Sequence, residues 1–291
     1  MTLSETPPHA ESQVPFALAA NQSIMVGDTA FAYRDMGPMT EVPLVLFNHW
    51  GAVLDNFDPR IIDGLAKTRR IIASDYRGIG GSSGSAPLTV GEMADDAINL
   101  IRTLGFKQVD LLGFSLGGFV AQDIALKAPG LVRRLILTGT GPAGGTGIEN
   151  VGKVSWPLMI KGLVHLRDPK FYLFFTQTKN GRQAASDFLK RLKERKKDRI
   201  KGSTPSAFIR QLKAITAWGK QAPQDLARIQ IPTLVANGDS DIMVPSENSI
   251  ALAQRIPNAQ LIIYEDAGHG AIFQHHADFV TKAAAFLDAK G

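Results

Sequence analysis

The stretch Val109-Asp110-Leu111-Leu112-Gly113-Phe114-Ser115-Leu116-Gly117-Gly118 constrains this chain more than any other. A short apolar run breaks on Gly-x-Ser-x-Gly and continues with helical spacing at Phe119, Val120 and Ile124 as far as Pro129. Turning from strand to helix in so few residues forces Ser115 into a strained backbone and calls for small residues two places before and after it. The hydroxyl is then held out at the carboxyl edge of a sheet. There the free N–H groups of the following helix favour developing negative charge, which suits a nucleophile.

The rest of the chain supplies the sheet. Residues 24–26 and 29–34 flank Gly27-Asp28 and predict an antiparallel hairpin. Residues 42–47, 70–74, 135–137, 234–236 and 261–264 are continuous apolar runs of the kind buried on both faces of a parallel sheet. Helical patterns separate them. Thr89 and Glu92 form a capping box ahead of Ala94, Ala97, Ile101 and Leu104, Gly105 supplies the stop, and further helices are expected over 246–255 and after Asp278. The fold class predicted is α/β, a mostly parallel eight-stranded sheet with helices on both faces. Between Gly141 and about Ala222 the alternation stops. Helical patterns rich in aromatics (Trp156, Phe171, Tyr172, Phe174, Phe175, Phe188, Phe208, Trp218) predict a helical cap over the carboxyl edge, residues 142–222, inserted in a core of 16–141 and 223–291.

Composition narrows the chemistry. With no cysteine there are no disulfides, no thiolate metal sites and no thiol nucleophile. The formal charge of +5 has a local origin, because residues 190–201 hold eight basic and two acidic side chains, leaving about one net negative charge for the rest. That run reads as a solvated helix face with Phe188, Leu189, Leu192 and Ile200 on its buried side. Basic residues spread over a large surface with stacking aromatics are missing, so no nucleic-acid partner is expected. No apolar run has the length of a membrane span, and Glu5 and Glu11 sit where a signal peptide would be positive. A cytoplasmic protein without a membrane partner is expected, with a loose arm over residues 1–15.

A serine hydroxyl needs a base, and an imidazole serves best when a carboxylate fixes its tautomer. The two runs at 234–236 and 261–264 lead into Asn237-Gly238-Asp239-Ser240-Asp241 and Glu265-Asp266-Ala267-Gly268-His269, each just past a strand's carboxyl end. With Asn48-His49, Asp75-x-Arg77-Gly78-x-Gly80, Gly113-x-Ser115-x-Gly117, Gly238-x-x-Asp241 and Gly268-His269, the chain resembles the α/β-hydrolase fold superfamily, in its esterase, lactonase and haloperoxidase-like branch. The resemblance implies Ser115 as nucleophile, His269 as general base and Asp241 as its orienting acid, with Asp239 the competitor and more suited to stabilising the turn. It also implies an oxyanion hole made by the Leu116 N–H and a donor from the loop after His49. Relatives read His-Gly-x there. Here Trp50 replaces the glycine, so aligning on His49 gives Gly51 as donor, with Trp50 left open; the Trp50 ring also reads as a substrate-binding wall.

The activity expected is a serine hydrolase cleaving a small to medium, largely apolar ester or lactone through an acyl-enzyme, with a small-molecule substrate, no cofactor and no metal. Carbon-carbon bond hydrolysis, peptide cleavage or perhydrolysis on the same triad, and a ligand-binding receptor that retains it, are the alternatives. Other signals are structural. Residues 139–144 match a dinucleotide fingerprint, yet Pro142, Gly145 and Gly147 oppose the helix it needs. His275 and His276 lack a carboxylate arranged with them and read as surface residues, His49 shapes its loop, and residues 75–82 are scaffold.

Overall fold

The computed structural model describes residues 14–289, so the arm expected over residues 1–15 lies outside the described residues apart from Val14 and Pro15. Eight strands make one sheet: β1 (Gln22–Val26), β2 (Thr29–Met36), β3 (Leu44–Phe47), β4 (Ile71–Ser74), β5 (Val109–Phe114), β6 (Val132–Thr138), β7 (Thr233–Gly238) and β8 (Ala259–Tyr264). Their spatial order is β1-β2-β4-β3-β5-β6-β7-β8. β1 pairs antiparallel with β2 and β2 with β4, while every other neighbour is parallel. After β3 the chain steps one way to β4 and then returns past β3 to β5. Strand order reverses between β3 and β5, and in open α/β sheets ligands bind beyond the carboxyl ends at such a reversal.

The helices are α1 (Pro59–Leu65), α2 (Val90–Thr103), α3 (Leu116–Lys127), α4 (Val151–Val164), α5 (Lys170–Leu173), α6 (Lys179–Arg191), α7 (Pro205–Lys220), α8 (Glu247–Arg255), α9 (Ala271–Gln274) and α10 (His276–Asp288). α2 begins on the expected capping box: Thr89 Oγ1 accepts the Glu92 N–H, and the Glu92 carboxylate accepts the Thr89 N–H in return. β3, β4, β5 and β7 are buried along their whole length. Each fully buried aliphatic side chain there contributes roughly 1.5–3 kcal/mol. β8 departs from expectation. Leu261 and Ile263 are each 39% exposed, because β8 is the edge of the sheet among the described residues and one of its faces is only partly covered.

α4 to α7 stand between β6 and β7, where the strand-helix alternation was expected to stop. The basic run is solvated at most of its cations and buries Phe188 and Leu192 as expected, but it is not one helix face. α6 ends at Arg191, and residues 192–204 continue without a regular helix. Arg191 reaches back to Asp58 (2.7 Å) and to the Phe273 carbonyl, and Arg195, 6% exposed, donates to the carbonyls of Ala17 and Ala19. These two cations tie the segment down, and buried acceptors compensate their desolvation. Asp75 does the same for the glycine-rich loop: its two oxygens accept the N–H groups of Leu54 and Gly81, and burial pushes its carboxyl up to about 7.

The turn between β5 and α3 is tightly packed. Ser115 has φ +58°, and a Cβ on Gly117 would lie 2.1 Å from the Phe47 carbonyl oxygen, at the end of β3. Only a residue without a Cβ lets α3 approach so closely. Gly117→Ala is therefore expected to cost about 3 kcal/mol or more, or to abolish soluble expression. Gly105→Ala, at φ +87° but with open space around it, is expected to cost only about 1 kcal/mol. Urea unfolding of the two variants checks the contrast.

Candidate active site

Four loops meet above the β3–β5 reversal. Ser115 caps α3 with its own N–H donated to the Thr138 carbonyl (2.9 Å) and its carbonyl accepting the Thr140 hydroxyl (2.9 Å). Its backbone is thereby fixed from β6, and the side chain lines a cavity of about 140 Å3. Asp241 follows β7. One of its oxygens accepts the N–H groups of Met243 (2.8 Å) and Val244 (3.0 Å), and the other faces His269 Nδ1 at 2.7 Å. A carboxylate oxygen accepts, so Nδ1 carries the proton and Nε2 presents its lone pair. Asp239 is used otherwise, accepting the Ser240 hydroxyl and the N–H groups of Asp266 and Ala267 across the β7–β8 turns.

His269 is 1% exposed, and its Nε2 has no hydrogen-bond partner among the described residues. It lines the same cavity as Ser115, yet no bond joins the two side chains. Hydrogen bonds of this kind are commonly long or poorly aligned before substrate binds and tighten in the complex. The imidazole is held by rings: Phe114 lies 5.0 Å and Phe174 5.3 Å from it between centroids, and Phe114 and Phe174 pack edge to face at 5.6 Å. The glycines on either side of His269 explain the approach. A Cβ on Gly268 would sit 2.8 Å from the Phe174 carbonyl oxygen, which accepts the Gly270 N–H at 2.7 Å.

The loop after β3 overturns one expectation. Gly51 is not free to donate to an oxyanion, because its N–H is already given to Gln211 Oε1 on α7 at 2.8 Å. Gln211 is fully buried, so this bond is shielded from water. Gly51 itself is required, since at φ +71° a Cβ would meet the Phe208 ring at 2.6 Å. The Trp50 and Leu116 N–H groups, by contrast, donate to no acceptor among the described residues. The Trp50 ring lines the cavity, stacks on Phe208 at 4.1 Å and donates its indole N–H to the Phe208 carbonyl at 2.8 Å.

His49 sits beneath this loop, with Nδ1 donating to the Trp50 carbonyl (2.9 Å) and its ring edge to face with Phe174 at 5.0 Å. Burial, reinforced by the Lys170 charge, lowers its pKa to about 3. It is a neutral structural imidazole at neutral pH. His275 and His276 are half-buried rather than surface residues, and His275 stacks on Tyr264 at 4.8 Å. Residues 139–144 run as loop, and the next α-helix, α4, begins only at Val151 rather than within the glycine pattern as a dinucleotide fingerprint requires.

The remaining cavity wall comes from Met159, Pro169, Leu173, Phe174, Phe208 and Met243, with Asn56, Asp168 and Lys170 as its polar members. Gln211, Asp168 and Lys170 escaped sequence reading. None belongs to a local motif, and only the density of aromatics in residues 142–222 pointed to this region.

A family model described as alpha/beta hydrolase fold matches residues 42–276. A proline iminopeptidase, PfmaB, of Pestalotiopsis fici is 30% identical over 91% of this chain and 98% of its own length. A poly(3-hydroxyalkanoate) depolymerase of Ectopseudomonas oleovorans is 32% identical over 78% of this chain and 77% of its own. Among solved structures, an alpha/beta hydrolase fold protein from Chitinophaga pinensis superposes with a TM-score of 0.90 at 37% identity, covering 95% of this chain and all of that one.

The state of His49 makes stability depend on pH. Unfolded, the imidazole binds a proton below about 6.5; folded, it stays neutral down to about 3, so stability is lost as pH falls through that window. Between pH 7.5 and 5 the gap in unfolding free energy between wild type and His49→Gln is expected to move by about 2 kcal/mol in favour of the variant. A gap independent of pH in denaturant titrations overturns this.

Proposed function

The chain belongs to the alpha/beta hydrolase fold family and is a hydrolase of that fold; on this premise we propose that it is a serine hydrolase of small to medium, largely apolar carboxylic esters or lactones. The observation that carries it is the 2.7 Å bond from His269 Nδ1 to Asp241, which leaves the basic Nε2 in the cavity that Ser115 lines. Ser115 Oγ attacks the carbonyl carbon while Nε2 takes its proton. The Asp241 carboxylate stabilises the imidazolium in a water-poor site. The negative oxygen is received by the N–H groups of Trp50 and Leu116, neither of which is committed to another acceptor among the described residues. Collapse expels the alkoxide, protonated by His269, and water deprotonated by the same nitrogen then releases the acid and restores Ser115.

The apolar wall of Trp50, Met159, Leu173, Phe174, Phe208 and Met243 favours an apolar acyl or alcohol part. Residues 142–222 act as a cap that supplies most of this wall, and residues 16–141 and 223–291 act as the catalytic core. Gln211 is a positioning residue in this scheme: by taking the Gly51 N–H it holds the loop so that the Trp50 N–H stays aimed at the reacting oxygen.

A fluorophosphonate probe is expected to label the wild type and not Ser115→Ala, and Asp241→Asn is expected to lower kcat about 10^4-fold on an activated ester. A wild type that ignores the probe and hydrolyses no activated ester overturns the assignment. Gln211→Met is expected to lower kcat about tenfold or more with KM little changed, because it loosens a group used mainly in the transition state. A rise in KM at constant kcat places Gln211 in substrate binding instead.

A further inference from the structure

Beside the catalytic cavity lies a second, larger depression of about 440 Å3, and the two share Asn56 and Asp168. Its base is apolar, formed by Phe171, Leu189 and Leu192. Its rim carries four cations, Arg167, Lys190, Lys193 and Arg199, against the single carboxylate of Asp168.

That carboxylate is already engaged. Lys170, which lines the catalytic cavity, holds both of its oxygens at 3.0 and 3.1 Å. The rim cations are poorly neutralised by comparison. Lys193 has no acidic partner among the described residues, and Arg167 has none either, its guanidinium resting over the Phe171 ring at 4.6 Å. Lys190 meets only Asp187, at 3.3 Å on an exposed surface, where such a pair is worth little. Arg199 stands 3.7 Å from Asp55, a carboxylate that Arg34 already holds at 2.5 Å. The groove thus offers unspent positive charge above an apolar base, next to the proposed nucleophile.

We infer that this groove binds the anionic end of the substrate, so that the ester or lactone cleaved at Ser115 carries a carboxylate or phosphate several bonds from its scissile carbonyl. An apolar chain spans Asn56 and Asp168 along Phe171 and Leu192, and the anion reaches Arg167 and Lys193. The inference rests on the serine hydrolase reading above.

The test compares p-nitrophenyl hexanoate and octanoate with the mono-p-nitrophenyl esters of adipic and suberic acid, which match them in chain length but end in a carboxylate. At about 20 mM salt the carboxylate esters are expected to have KM values about tenfold lower, at similar kcat. The advantage is expected to vanish near 500 mM salt. Arg167→Gln combined with Lys193→Glu is expected to remove it while leaving neutral-ester turnover unchanged. Equal KM values without salt dependence, or an advantage that survives in the double variant, overturn the inference. Calorimetric titration of Ser115→Ala with suberate and with an alkyl phosphate reads the groove without turnover, and the stronger ligand identifies which anion it takes. Salt-sensitive binding lost in the Arg167 and Lys193 changes supports the groove even if no ester is cleaved, an outcome that would sink only the serine hydrolase reading. No binding of either anion at millimolar concentration overturns the groove.

Discussion

The contact between Gly117 and the Phe47 carbonyl is the constraint on which the rest of the molecule depends. It brings the first turn of α3 down onto the end of β3, where strand order reverses, and so aligns the loops after β3 and β5 on one point. Ser115 must take a left-handed backbone for this to happen. The strain, of order 1–3 kcal/mol, is offset by bonds from Thr138 and Thr140 on the neighbouring strand and its loop. The loops after β7 and β8 then need only to bring Asp241 and His269 over the same edge.

Around His269 the surroundings are dry and aromatic. The imidazole lies against Phe114 and Phe174 and touches one carboxylate, so both its orientation and its tautomer are determined by packing and by Asp241 together. His49, packed on the same two rings, is kept neutral by burial. Two imidazoles thus share one aromatic cluster but differ in partner: a carboxylate for one, a backbone carbonyl for the other.

Much of this was legible in the sequence because it rests on local pattern. Continuous apolar runs located the strands, the Gly-x-Ser-x-Gly pattern located the sharp turn at Ser115, and the Gly238-x-x-Asp241 spacing of the resemblance picked out the carboxylate that meets His269. What failed were pairings between distant parts of the chain. Gly51 read as a free donor because its acceptor, Gln211, lies 160 residues away and belongs to no motif. The basic run read as one helix face because nothing local shows that Arg191 meets Asp58 or that Arg195 is absorbed by backbone carbonyls near the start of the fold. β8 read as covered on both faces because its composition matches that of an interior strand.

Three residues in the 203–211 stretch grip the turn after β3: Ser203 donates to the Gly51 carbonyl, Phe208 stacks on Trp50 and accepts its indole N–H, and Gln211 takes the Gly51 N–H. The 203–211 stretch and the turn after β3 are therefore welded into a single unit. Any displacement of α7 would drag the Trp50 indole and the Gly51 backbone along with it, so the shape of that turn is dictated by a helix remote from it in the chain.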